Sequence, residues 1–176
     1  LLGAAALAAF AAPGAARAGQ VAWNFSFASI DDGVLPLNAY RGRVLLVVNT
    51  ASFCHFTYQY ESLEALYAAR QAEGLTVVGV PSPDFMQESD SNAKVKQFCD
   101  LTFKVKFPLA GISHVRGEAA VPFYQWVRAE RDWQPSWNFN KVLVGRDGAI
   151  KGVFGSWDEP DGPTLTKAIN AALAEG

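Results

Sequence analysis

Two residues of this 176-residue chain carry thiols, Cys54 and Cys99, and the setting of the first is the more informative. Cys54 follows Val44–Val48, an apolar run that reads as a buried strand, and precedes a helix-like stretch, Gln59–Glu73. A thiol between a strand end and a helix start meets unpaired N–H groups and the positive end of the helix dipole, which favour a thiolate. Sites in open α/β sheets also gather beyond the C-terminal ends of strands. A reactive nucleophile is one reading. A buried, inert cysteine is the other, because free Cys packs as a small hydrophobe. Energies set a requirement for the first. A free thiol near pKa 8.5 is only a few per cent ionised at neutral pH. Lowering that value by ~2 units takes about 2.7 kcal/mol. A helix end supplies ~0.3–1 kcal/mol, at best ~2. One hydrogen bond to a charged group adds ~1.5–3 kcal/mol. Further donors to the sulfur are therefore required.

The elements that must position Cys54 can be read in order. Trp23–Ile30 and Val34–Leu37 flank Asp31-Asp32-Gly33 and form a hairpin, whose second strand Pro36 keeps short. Leu75–Val80 is a second apolar run of strand length after Gly74, a plausible helix stop. Strand, helix and strand make a βαβ unit with parallel strands and a right-handed crossover. Pro81-Ser82-Pro83-Asp84 then lies on the same sheet edge as Cys54. Asn92–Thr102 reads as a short helix with Val95, Phe98, Cys99 and Thr102 on one apolar face. Glu118–Glu130 is another, with Pro122 in its first turn. Val142–Val144 and Ala149–Phe154 flank Asp147-Gly148, an antiparallel hairpin signal, and Thr164–Ala174 closes the chain as a helix. A parallel βαβ half followed by a ββα half is a thioredoxin-like α/β plan, with the N-terminal hairpin and the Asn92–Thr102 helix added.

Formal charge −2 and 50% hydrophobic content suit one soluble domain and give no basic excess for nucleic acid. Leu1–Ala12 is a run of small apolar residues, broken by Pro13-Gly14 and followed by Ala16-Arg17-Ala18, a small-residue cleavage pattern. A bilayer span needs about 20 apolar residues, so stable membrane insertion is not expected. Residues 1–18 read as a secretory signal peptide without its basic start, and 19–176 as a single domain. An Ala-rich helix is the alternative. The signal reading implies export to the periplasm or beyond, an oxidising setting. Two cysteines are few for a disulfide scaffold and suit redox chemistry.

Three motifs at ordered spacing are similar to the glutathione peroxidase family. Asn49–Tyr60 resembles its peroxidatic cysteine segment, Gly79–Glu88 the loop after the second strand, and Trp137-Asn138-Phe139-Asn140-Lys141 its Trp-Asn-Phe-x-Lys segment. Phe98-Cys99 followed by Phe107-Pro108 also fits. The resemblance spans roughly Phe25–Phe154. It implies a peroxidase that reduces hydrogen peroxide or organic hydroperoxides without a cofactor. Cys54 takes the peroxidatic place, Trp137 and Asn138 match the donors to its sulfur, and Cys99 matches the resolving cysteine of the thiol-dependent branch. The implied reductant is a thioredoxin-like dithiol or glutathione. The short connection before Trp137 resembles the compact monomeric forms. There are three departures: His55 stands where Gly is common, Tyr58 where Pro is common, and Asp84 where a catalytic Gln is common, although some bacterial members carry Asp. A carboxylate ~4 Å from a thiolate costs about 4 kcal/mol at an effective dielectric of ~20. Asp84 is therefore expected as a protonated donor, as a general base for the thiol proton, or as a surface group pointing into water.

Other readings use the same residues. A non-catalytic thiol sensor or carrier would hand oxidation to another protein. A copper-handling protein could use Cys54 and His55, but two His and no Cys-x-x-x-Cys pair give a metal site little support. A redox-inert binding module on the same fold is the last, since fold does not fix function.

Overall fold

The computed structural model describes residues 19–175, so the expected signal segment lies outside the described residues. The architecture is built on β3, Val44–Thr50, whose seven residues are all buried. A strand covered on both faces needs apolar side chains in both of its alternating sets. Val44, Leu46 and Val48 enter one core with Tyr60, Leu63, Leu165 and Ile169. Leu45 and Val47 enter a second core with Trp23, Phe27, Phe123 and Trp126.

β4, Leu75–Pro81, runs parallel to β3 in continuous register from Val44↔Leu75 to Thr50↔Pro81. The crossover is α1, Gln59–Arg70, ending in a short 3₁₀ turn and at Gly74 with φ 103°. On the other side of β3, β5 (Lys141–Val144) pairs antiparallel, and β6 (Ile150–Phe154) pairs antiparallel to β5. The sheet order is β4-β3-β5-β6, the thioredoxin-like plan. α4, Pro163–Ala174, shares the first core with α1. α3, Pro122–Arg131, covers the second with the N-terminal hairpin of β1 (Ser26–Ala28) and β2 (Val34–Pro36).

Three elements differ from expectation. Trp23 sits in a 3₁₀ turn, Ala22–Asn24, and not in the hairpin. The Ala22 N–H is taken by the Gly148 carbonyl, so this backbone caps the β5–β6 turn and cannot pair with β2. α3 starts at Pro122 and not at Glu118, because a residue without an N–H fits the first helical position and breaks a turn before it. The helix around Cys99 is α2, Asn92–Phe98, followed by a π-helical turn, Cys99–Phe103. The wider turn rotates the later residues off the face set by Val95 and Cys99, so Thr102 is exposed.

The Asp147-Gly148 turn has a second function that its sequence does not announce. Gly148 has φ +83°, and a Cβ there would meet the Trp23 indole nitrogen at 2.5 Å. Strain at positive φ and overpacking against a buried Trp each cost about 1–3 kcal/mol. Gly148→Ala is expected to lower the unfolding free energy by about 2–4 kcal/mol in urea titrations, and a change under about 1 kcal/mol would contradict the contact.

Candidate active site

β3 and β4 end at the same edge, and three chain segments meet there. Phe53 N–H donates to the Gln87 carbonyl at 2.9 Å, tying the loop after β3 to the loop after β4. Phe139 N–H donates to the Asn49 carbonyl at 2.6 Å, and the Asn49 amide donates to the Trp137 carbonyl at 2.9 Å. These bonds bring the three motif segments to one place.

Cys54 does not cap α1. It caps a 3₁₀ turn, His55–Tyr58, that precedes it. Phe56 N–H donates to Sγ at 3.4 Å, the one hydrogen bond to this sulfur among the described residues. Cys54 N–H donates to Thr57 Oγ1 at 2.9 Å, and that hydroxyl donates to the Ala51 carbonyl at 2.9 Å. The turn is thus locked from both sides, and Cys54 as a residue is 8% exposed. His55 is not among the residues at positive φ, so the Gly-to-His departure carries no backbone strain there. Tyr58 points outward, and its hydroxyl donates to Glu159 at 2.5 Å.

The expected donors stand at this edge but are engaged with other groups. Asn138 is fully buried, and its amide donates to Gln87 Oε1 at 2.9 Å. Its own Oδ1 is buried without a partner. Trp137 packs on the Phe85 ring at 5.2 Å and makes no hydrogen bond to Cys54.

Asp84 is engaged away from Cys54 in this structure. One carboxylate oxygen pairs with His114 Nδ1 at 2.5 Å. The other accepts from Val115 N–H at 2.7 Å and Arg116 N–H at 3.1 Å. Its side chain is largely buried, so it does not point into water. With its oxygens occupied by residues 114–116, it forms no hydrogen bond to Cys54 and fastens the loop after β4 to the next loop. His114 lies 30 residues away in the chain, and nothing in the local sequence pairs the two.

Sequence reasoning also missed the buried polar lattice beneath the three segments. Lys141, in β5, is fully buried. Its ammonium donates to Gln59 Oε1 and to the Asp158 carbonyl at 2.7 Å each, with the Gly155 and Ser156 carbonyls at 3.4 and 3.5 Å. Burial pulls its pKa down to about 8, against the opposing pull of Glu159 and Asp158. Gln59 also donates to the Ser156 carbonyl, and the Ser156 hydroxyl donates to the Asn138 carbonyl. One cation therefore joins the start of α1, just after Cys54, to the segment carrying Trp137 and Asn138. The motif lysine was the available signal, but its pattern does not reveal its burial.

Cys99 is fully buried in the same core as Cys54, at the start of the π-helical turn, and both thiols are free. Burial first, then the charges of Glu88 and Asp100, push its pKa up to about 11, with Tyr60 opposing.

The glutathione peroxidase family model matches residues 22–128. The chain belongs to the glutathione peroxidase family. It is 36% identical over 157 residues to hydroperoxy fatty acid reductase gpx1 of Synechocystis, covering 83% of this chain and 93% of that protein. It is 34% identical over 171 residues to thioredoxin/glutathione peroxidase BtuE of Escherichia coli, covering 83% and 93%. The solved apo structure of Trgpx superposes with a TM-score of 0.72 at 33% identity, covering 89% of this chain and 98% of that one. As a member of this family the chain is a thiol peroxidase on a thioredoxin-like fold, and the segment that resembles the family's peroxidatic motif folds at the Cys54 edge.

The Lys141 environment has a measurable sign. Its folded pKa lies near 8, below the 10.5 of an exposed lysine. Between those values the unfolded chain binds more protons, so this group makes folding more favourable as pH rises. From about pH 7.5 to about pH 9.5, wild type should gain about 2 kcal/mol of stability relative to Lys141→Met. Equal pH dependence of the two proteins in denaturant titrations would contradict a buried, desolvated ammonium.

Proposed function

We propose that this peroxidase reduces apolar organic hydroperoxides at Cys54, with Cys99 as resolving thiol and a thioredoxin-like dithiol or glutathione as reductant. The observation that carries the reading is the shared core of the two thiols. Cys54 lies at its edge, 8% exposed, and Cys99 lies fully buried within it at the end of a helix that changes to a π turn. In the first step the Cys54 sulfur attacks a peroxide oxygen, the O–O bond breaks, and sulfenic acid and an alcohol form. Cys99 then condenses with the sulfenic acid to a disulfide, and the reductant restores both thiols by exchange. The compound name of the E. coli relative supports either reductant class.

The substrate class is supported by the surface around Cys54. Met86 is 94% exposed, Trp157 77%, Phe53 66% and Trp137 41%. Phe53 adjoins Cys54, Met86 adjoins Gln87, which binds the Phe53 backbone, and Trp157 lies edge-on to Phe56 at 4.7 Å. An apolar collar of this kind gains by covering itself with an acyl chain, at about 25 cal/mol per Å² removed from water. The name of the Synechocystis relative points the same way.

To act as a donor to the reacting sulfur, the Asn138 amide would leave Gln87, and Trp137 would turn its indole N–H to the same sulfur. A neutral amide bond such as Asn138 to Gln87 contributes ~0.5–1.5 kcal/mol, whereas a bond to a charged sulfur contributes ~1.5–3 kcal/mol. A charge on Cys54 therefore favours redirecting the amide. The small-residue pattern before Gly19 supports export.

Peroxide treatment is expected to give one intramolecular Cys54–Cys99 disulfide by mass spectrometry, and sulfinic Cys54 beside free Cys99 would remove the resolving role. In the double variant Met86→Ser/Trp157→Ser, the ratio of kcat/KM for a long-chain acyl hydroperoxide to that for hydrogen peroxide should fall about tenfold. An unchanged ratio counts against the collar.

A further inference from the structure

Between the two cysteines lies a patch of buried polar oxygens that the peroxidase chemistry described so far does not use. The Thr50, Ser52 and Tyr60 hydroxyls and Glu88 Oε2 are all shielded from solvent and make no well-aligned hydrogen bond. Buried oxygens in poor hydrogen-bond geometry are costly, and these face one another in two groups, Tyr60 with the Thr50 hydroxyl and Glu88 with the Ser52 hydroxyl. Glu88 is placed there by its other oxygen, Oε1, which accepts from Ser52 N–H at 3.2 Å and Ser89 N–H at 2.7 Å. Ser52 is two residues from Cys54. Tyr60 is clamped by aromatic rings, stacked on Phe103 at 5.3 Å and edge-on to Phe139 at 5.4 Å. Its hydroxyl faces the Thr50 hydroxyl and the Cys99 thiol. The patch therefore touches the resolving thiol on one side and the loop of the peroxidatic thiol on the other.

We propose that Glu88 and the Tyr60 hydroxyl form an internal proton relay for the condensation of Cys99 with oxidised Cys54. The proposal rests on the two-cysteine cycle above. In that step the Cys99 sulfur attacks the sulfenic sulfur, the S–S bond forms and the S–O bond breaks. The Cys99 sulfur is oxidised, the Cys54 sulfur is reduced, and hydroxide leaves. The Cys99 proton passes to Tyr60 Oη as Tyr60 releases its own proton, by way of the Thr50 hydroxyl, to the Glu88 carboxylate. Glu88, through the Ser52 hydroxyl, then protonates the departing oxygen, so one proton moves from Cys99 to the product water and the relay returns to its starting state.

The need for such a relay follows from burial. A thiol held fully buried in the core is a poor nucleophile until a base reaches it. The ionisable groups that act on one another here are few. Glu88 raises the pKa of both Tyr60 and Cys99, and Lys96 and Asp100 act on Cys99 from the α2 side. Burial raises Glu88 above the usual carboxyl range, opposed by its bonds from Ser52 and Ser89, which brings it closer to the protons it would exchange.

The test separates the two chemical steps by rapid-quench mass spectrometry with hydrogen peroxide. Glu88→Gln keeps an Oε1 acceptor for Ser52 and Ser89, and Tyr60→Phe keeps the aromatic clamp. In each variant the rate of disulfide formation relative to that of sulfenic acid formation should fall roughly 100-fold, the scale of general acid–base catalysis. From about pH 5 to about pH 9 the wild-type condensation should rise with one carboxyl ionisation and then level, whereas Glu88→Gln should lose the plateau and climb with hydroxide. A slower Glu88→Gln with the wild-type pH profile would reduce Glu88 to a structural part and overturn the relay. Equal rates and profiles in both variants would overturn it while leaving the two-cysteine cycle standing. A wild-type protein that never forms the disulfide would sink the cycle and the relay together.

Discussion

The active edge depends on one buried cation. Lys141 gives up its hydration to sit among a side-chain amide and three backbone carbonyls. Those oxygens belong to the start of α1 and to the loop after β6, two regions that no strand pairing connects. A surface ion pair could not do this, because exposed pairs contribute ~0–1 kcal/mol and slide in solvent. A buried ammonium loses much more if any acceptor moves away, so it fixes the spacing of the groups around it. That rigidity carries to Asn138 through Ser156, and to the Trp137–Asn140 turn through Asn49, whose carbonyl and side chain bind both sides of the turn. The turn itself is strained. Phe139 holds φ +59°, a left-handed conformation that costs a non-glycine residue about 1–3 kcal/mol. It persists because its ring is fully buried against Tyr60 and its N–H is bound by β3.

Much of this architecture was legible in the sequence because its signals are local or periodic. The unbroken apolar runs of β3 and β4 marked strands buried on both faces, and the chain between them had the length and pattern of a crossover helix. Cys54 was placed at the strand end by the same reasoning. The parts that could not be read depend on partners far away in the chain. Asp84 was read against Cys54, but its oxygens belong to His114 and two backbone amides, a pairing that no spacing rule anticipates. Lys141 was part of a recognised motif, yet a lysine is ordinarily a surface residue, and only the fold encloses it. The π turn after Phe98 was hidden because its sequence satisfies an ordinary helical face as far as Cys99. Trp23 illustrates the same limit from the other side: its alternation with Phe25 and Phe27 suggested a strand, but the Gly148 carbonyl claims the adjacent backbone first.

The two thiols are chemically distinguished by depth. In the proposed cycle Cys54, 8% exposed and beside the Phe56 amide, is the sulfur that meets substrate. Cys99 shares the same core with no exposed surface and a pKa pushed up to about 11, which keeps it a neutral thiol at physiological pH. A thiol in that condition is nearly inert to peroxide, since the thiolate is the nucleophile. Burial thus disfavours direct oxidation of the second cysteine, which suits the resolving role proposed for it. In the proposed cycle the same burial creates a difficulty, because a protected thiol must still lose its proton at the moment of attack. A π turn at Cys99 addresses the geometric half of that difficulty. α2 ends at Phe98, so in the proposed cycle only the π turn Cys99–Phe103, and not all of α2, would have to rearrange for the sulfur to approach Cys54.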